Sequence, residues 1–218
     1  MKNKLRHTLV SEGTTDANLI PIINWALKQS AGVQLPDGVR AEFWRLPQKP
    51  KGMVNKMLKA VEFYPCDVLF VHRDSDTKAP HVRHDEIRIA FAKAKVEMPV
   101  IAVVPVRMLE AWLCFSENAV RQAAGNPQGT VKLNLPSLKR VESRPDPKAD
   151  LKDALLSASE LTGRRRNKFD TSAAFWRLVD CIEDFSPLRA LPSFQSFEKS
   201  LASLKENGWK TGFYGLEK

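Results

Sequence analysis

Five acidic residues stand at or just after the ends of apolar runs: Glu12 and Asp16 after "LRHTLV", Asp74 and Asp76 after "VLFV", and Glu110 after "VIAVVPV". If an extended backbone persists through "RDSD", Asp74 and Asp76 point the same way, with Cα atoms roughly 6.5 Å apart. Two carboxylates so spaced can converge on one cation. Asp and Ser are also common turn formers, so a turn is the competing reading. In a parallel sheet the carboxyl ends of the strands share one rim, where ligands bind. Carboxylates crowded there repel one another unless cations neutralise them, and such oxygen-rich sets suit Mg²⁺ or Mn²⁺. Glu110 sits among Met108, Leu109, Ala111, Trp112, Leu113 and Cys114. A carboxylate buried there is costly unless paired or metal-bound. The alternatives are an acid in the first turn of a helix, favoured by its dipole, or a partner for Arg107.

The elements that must position these acids can be read from periodicity. "LRHTLV" (5–10) is a first strand, followed by a helical stretch over 17–27 in which Pro21 forces a kink or a later start. "AEFWRL" (41–46) is a second strand candidate. Met53, Met57, Leu58 and Val61 have helical spacing, and Pro65 closes that helix before the strand at 68–71. A charged helix over roughly 85–96 precedes the strand at 100–106, and "RMLEAWLCF" reads as helical. Strands alternating with helices predict an α/β fold with a mostly parallel sheet flanked by helices. After Gly125 a segment rich in proline, glycine and charge predicts a loop or small insertion, then helices at about 150–162, 171–184 and 194–206. The expected division is an α/β domain over 1–124 and, over 125–218, a loop followed by a helical C-terminal extension packed on it.

The pieces "LVSEGTTD", "VLFVHRDSD" and "VPVRMLEAWL", in that order, resemble the Toprim domain shared by topoisomerases, primases and OLD-type nucleases. The last piece, with "LRALPSFQSFEKSL", looks most like small stand-alone Toprim-like proteins related to the OLD-type nucleases and often encoded beside ATPases in bacterial defence loci. The resemblance covers most of the chain; residues 125–150 match nothing in it. It implies that Glu12 ligates metal or acts as general acid and base, that Asp74 and Asp76 hold Mg²⁺ (or Mn²⁺), and that Asp16 and Glu110 complete the site. The implied activity is Mg-dependent phosphodiester hydrolysis of nucleic acid in antiviral defence, with a co-encoded AAA- or ABC-type ATPase as partner. Arg73, Arg107 and Lys132 are candidates for the basic residue near the scissile phosphate. The alternative is a non-catalytic nucleic-acid-binding or regulatory subunit of an ATPase complex. A topoisomerase or primase is disfavoured, since only Tyr64 and Tyr214 are present and no Tyr-bearing strand-passage domain is evident.

Composition points the same way. Lys and Arg exceed Asp and Glu by 34 to 25 over 218 residues, a formal charge of +9 that favours a polyanionic partner. The densest basic run is "GRRRNK", where Arg164, Arg165 and Arg166 would contact phosphates or serve as solvated charges at a helix C-terminus. Phe175, Trp176 and the phenylalanines of "FQSFEKS" have helical spacing and are read as core. No apolar run approaches the ~18 residues of a membrane span, and the N-terminus lacks the apolar stretch of a signal peptide. Three widely separated cysteines in apolar settings read as reduced core residues, so a cytoplasmic protein is expected. An EF-hand from Asp74 fails, since Lys78 and Ala79 fall at its fifth and sixth positions. His81 and His84 lack companions for zinc, and no Walker A sequence, dinucleotide glycine fingerprint or Gly-x-Ser-x-Gly elbow appears.

Overall fold

The computed structural model describes residues 3–216. In chain order its elements are β1 (Lys4–Val10), α1 (Leu19–Ala26), β2 (Leu35–Arg40), α2 (Gly52–Phe63), β3 (Val68–His72), α3 (Pro80–Ala94) and β4 (Pro99–Val103). Then come α4 (Glu117–Ala123), α5 (Leu138–Val141), α6 (Pro147–Ala158), α7 (Gly163–Asn167), α8 (Thr171–Asp180), α9 (Pro192–Glu206) and β5 (Gly212–Tyr214). The fold is α/β with an all-parallel five-stranded sheet ordered β2-β1-β3-β4-β5. No helix among the described residues is long and apolar enough to cross a membrane.

Contacts divide the chain into two compact units: residues 1–105 with 192–218, and residues 106–191. The composition break at Gly125 therefore lies inside the second unit, and α9 and β5 belong to the first. In the first unit, β3 and β4 are buried at every position, as expected of parallel strands covered on both faces. Leu69 and Val71 join Met57 and Ala60 of α2 and Ile87 and Ala90 of α3 in one core. Phe70, pointing the opposite way, meets Phe197 of α9 with ring centroids 6.2 Å apart. Pro21 is the third residue of α1, where backbone N–H groups lack intrahelical partners, so it interrupts nothing.

The second strand is not "AEFWRL". β2 is "LPDGVR", whose proline is tolerated because the strand lies at the sheet edge and pairs only with β1. Ala41 extends the ladder by one bond to Leu9, but the Glu42 N–H donates to the Tyr64 hydroxyl. The chain then enters a 3₁₀ turn at Phe43–Arg45. Gly38 of β2 lies against buried His7, where an added Cβ would fall 2.3 Å from the ring Cε1.

The second unit is helical. Asp146 and Asp170 cap α6 and α8 by accepting backbone N–H bonds, and Ser116 caps α4. "RMLEAWLCF" forms a 3₁₀ turn at Leu109–Trp112 rather than a full helix. Gly163, just past the helix expected over 150–162, begins α7 with φ +53°. In α8 Phe175 is buried but Trp176 is 39% exposed, so only the first of that pair is core.

Candidate functional site

β1 and β3 are neighbours, and the chain reverses its direction of travel across the sheet between them, passing outward to β2 and back to β3. Such a switch point leaves a crevice at the carboxyl ends of the two strands. Glu12, Asp16 and Asp74 follow those ends.

After β1 the backbone makes a short turn. The Gly13 N–H donates to Asp16 Oδ2 at 2.7 Å, and a Cβ at Gly13 would come within 3.3 Å of Asp16 Oδ1. Gly13 thus leaves room for the Asp16 carboxylate, and its φ is not left-handed. Asp16 is buried and aimed inward, whereas the Glu12 side chain is 62% exposed.

After β3 the backbone stays beside β4: the Arg73 N–H donates to the Val103 carbonyl at 3.2 Å and the Ser75 N–H to Pro105 at 3.1 Å. The extended geometry then ends. Asp76 has φ +54°, a left-handed conformation that Asp tolerates in turns, so Asp74 and Asp76 part company. Asp76 is held by Arg83 Nη2 of α3, while Arg83 Nε donates to the Asp74 carbonyl at 3.0 Å. The expected convergence of Asp74 with Asp76 is therefore replaced by a turn clamped by Arg83. Glu86 completes the clamp. Burial opposes its charge, yet hydrogen bonds from Arg83 and Lys78 hold its pKa below the ordinary value.

What does converge is Asp16 with Asp74, on His72. The His72 ring is buried; Nδ1–H donates to the Val103 carbonyl at 3.1 Å, and Nε2 lies 3.3 Å from Asp74 Oδ1 and 4.0 Å from Asp16 Oδ1. Burial disfavours the imidazolium, but the Asp74 hydrogen bond and the charges of Asp74 and Asp16 outweigh it and raise the His72 pKa. His72 stands two residues before Asp74 on the same side of the extended chain. Its place at the end of a five-residue buried strand was the available sequence signal, hidden by the apolar run around it.

Beside His72 lies a cavity of about 170 Å³, lined by Ser11, Glu12, Lys56, His72 and Arg73 among others. Arg73 Nε faces Glu12 Oε1 at 3.2 Å, an ion pair not aligned as a hydrogen bond, and Nη1 lies 3.5 Å from Glu86. Lys56 of α2, on which sequence reasoning placed no role, donates from Nζ to the Ser11 carbonyl at 3.3 Å.

The remaining expected residues lie in the second unit. Glu110 is buried, with Lys148 Nζ 3.7 Å from its carboxylate. Arg107 has a left-handed backbone (φ +65°), Lys132 is exposed, and Arg164, Arg165 and Arg166 are exposed along α7.

Among the described residues, no three His, Cys, Asp or Glu side chains form a group that could hold a metal ion. Mg²⁺ does not demand one. It retains several waters and is typically held by one or two carboxylates plus substrate phosphate. Asp16 and Asp74, hard oxygen donors that both approach His72 Nε2, are the two carboxylates that would hold such an ion; Asp76 is ion-paired with Arg83, and Glu110 lies 3.7 Å from Lys148. Comparison with family models, curated proteins and solved structures found no match to this chain.

Proposed function

We propose that this protein is a Mg²⁺-dependent nuclease that hydrolyses phosphodiester bonds of nucleic acid, as its Toprim-like motifs imply. The observation that carries the reading is the pair Asp16 and Asp74. They follow the ends of adjacent parallel strands at the sheet's switch point and meet at His72; Glu12, Arg73 and Lys56 line a cavity at the same rim that His72 also borders but neither aspartate does. A divalent cation held by Asp16 and Asp74 would offset phosphate charge and acidify a water for attack. Glu12, exposed at the cavity, would be the carboxylate available there to take up a proton. Arg73 orients Glu12 through their ion pair and adds positive potential for the phosphate. His72 fixes the Asp74 carboxylate, and the Arg83 clamp fixes the loop that carries it. By the same resemblance, the setting is cytoplasmic antiviral defence beside an ATPase, and the free Cys66, Cys114 and Cys181 accord with a reducing compartment.

Every carboxylate at the rim already has a cationic or histidine neighbour, which favours a second reading: a nucleic-acid-binding or regulatory subunit of an ATPase complex without turnover. One experiment separates the two. Supercoiled plasmid and single-stranded substrates are incubated with Mg²⁺, Mn²⁺ or EDTA, with and without a co-encoded ATPase. The nuclease reading expects cleavage with metal only, falling about 10²- to 10⁴-fold in Glu12→Gln while binding persists. Wild-type protein that binds but never cuts selects the second reading.

A further inference from the structure

We infer that the substrate is a single strand of nucleic acid, laid along the N-terminal half of α2 with a base stacked on Trp44. The observations are independent of the carboxylates. Trp44 is 59% exposed, unusual for the largest amphipathic ring, and the Arg45 guanidinium lies 5.1 Å from its centroid. Residues 42–63 carry five cations, Arg45, Lys49, Lys51, Lys56 and Lys59, against two acids, Glu42 and Glu62. Those acids are matched by Arg45 at 2.6 Å and Lys59 at 2.7 Å. Lys49 and Lys51 have no ion-pair partner among the described residues, so their charge is available to phosphates.

Shape supports the same occupant. An open groove of about 800 Å³ runs past Lys49, Lys51, Asn55, Leu58 and Lys59. The catalytic cavity is lined by the neighbouring Gly52, Met53 and Lys56. The groove and the cavity are thus lined by interleaved residues of the first two turns of α2. Lys59 also places its ammonium 5.3 Å from the centroid of Phe63, itself 49% exposed. Cations interleaved with exposed rings form the surface on which unpaired bases stack while phosphates track the charge. A duplex keeps its base faces inside the stack and cannot use Trp44. The double-stranded alternative would need only the charges.

The inference rests on the nucleic-acid reading above, and its test runs in EDTA, where cleavage plays no part. Affinity of the full chain for fluorescein-labelled oligothymidylate and for a labelled hairpin duplex is measured by anisotropy across a salt series. The expectation is a preference for the single strand. Trp44→Ala should weaken it about 5- to 150-fold, the range for one stacked base. Trp44→Phe should restore most of the affinity, and Lys49→Gln with Lys51→Gln should reduce the salt slope. Equal or tighter duplex binding, or unchanged affinity in a folded Trp44→Ala protein, overturns the inference. Metal-dependent cleavage by wild type would then still uphold the nuclease reading. Trp44-dependent binding without cleavage would do the reverse.

Discussion

At the scale of residues, the proposed function makes Asp16 and Asp74 the metal-holding pair, while Asp76 is ion-paired with Arg83. Mg²⁺ or Mn²⁺ bound to the folded state should raise the melting temperature. That rise should vanish in Asp16→Asn and in Asp74→Asn. Asp76→Asn loosens the Arg83 clamp, so it should lower the baseline melting temperature yet keep the metal-induced rise. Differential scanning fluorimetry with and without metal distinguishes them, and a rise lost only in Asp76→Asn would reverse the assignment. The places of Glu12, Asp16 and Asp74 after the ends of β1 and β3 were legible in the sequence because each follows an apolar run within a few residues. Asp76 was legible as an acid but not as to direction, since one left-handed φ decides which way it faces. Lys56 and His72 were not legible as site residues, because the contacts that define them run to Ser11, Val103 and Asp16, distant in sequence.

At the scale of elements, β2 depends on Gly38. His7 is enclosed by Asn24, at 2.6 Å from Nε2, and by the Phe70 ring edge at a centroid distance of 5.1 Å. Gly38→Ala would push a methyl group into the imidazole. Overpacking of this kind costs about 1–3 kcal/mol, and urea denaturation should show a lowered midpoint with an unchanged slope. An unaltered midpoint would mean that His7 can move aside. The position of β2 escaped a reading by pattern because Pro36, Asp37 and Gly38 carry turn chemistry, while "AEFWRL" imitates alternation. Strands β1, β3 and β4 were legible, being short, apolar and buried. α7 makes a separate prediction. With Arg164, Arg165 and Arg166 exposed along it, their joint change to Ala should weaken nucleic-acid binding for all sequences and flatten its salt dependence. Titrations at several salt concentrations that matched wild type would leave α7 a solvated charge cluster.

At the scale of the whole molecule, stability should fall with acid through His84. This side chain is buried, and its Nδ1 accepts the Leu216 N–H at 3.1 Å, an acceptor role that protonation abolishes. Burial, opposed only weakly by Asp85, lowers its pKa from 6.5 to about 4. A group depressed in this way stays neutral when folded but takes a proton when unfolded. Its contribution is fully present above pH 6.5 and is lost as pH falls from 6.5 to about 4. Denaturation midpoints across that window should decline less in His84→Gln than in wild type; parallel declines would assign the acid sensitivity elsewhere. The two-unit division was not legible, because the composition changes at Gly125 while the units meet at 105/106 and 191/192. The order of the strands carries a consequence for biosynthesis. β5 covers the edge of β4, yet all of the second unit is translated between them. At about 5–20 residues per second, a ribosome leaves that edge unpaired for several seconds or more. During that interval the nascent chain exposes a parallel edge to its neighbours on the same polysome.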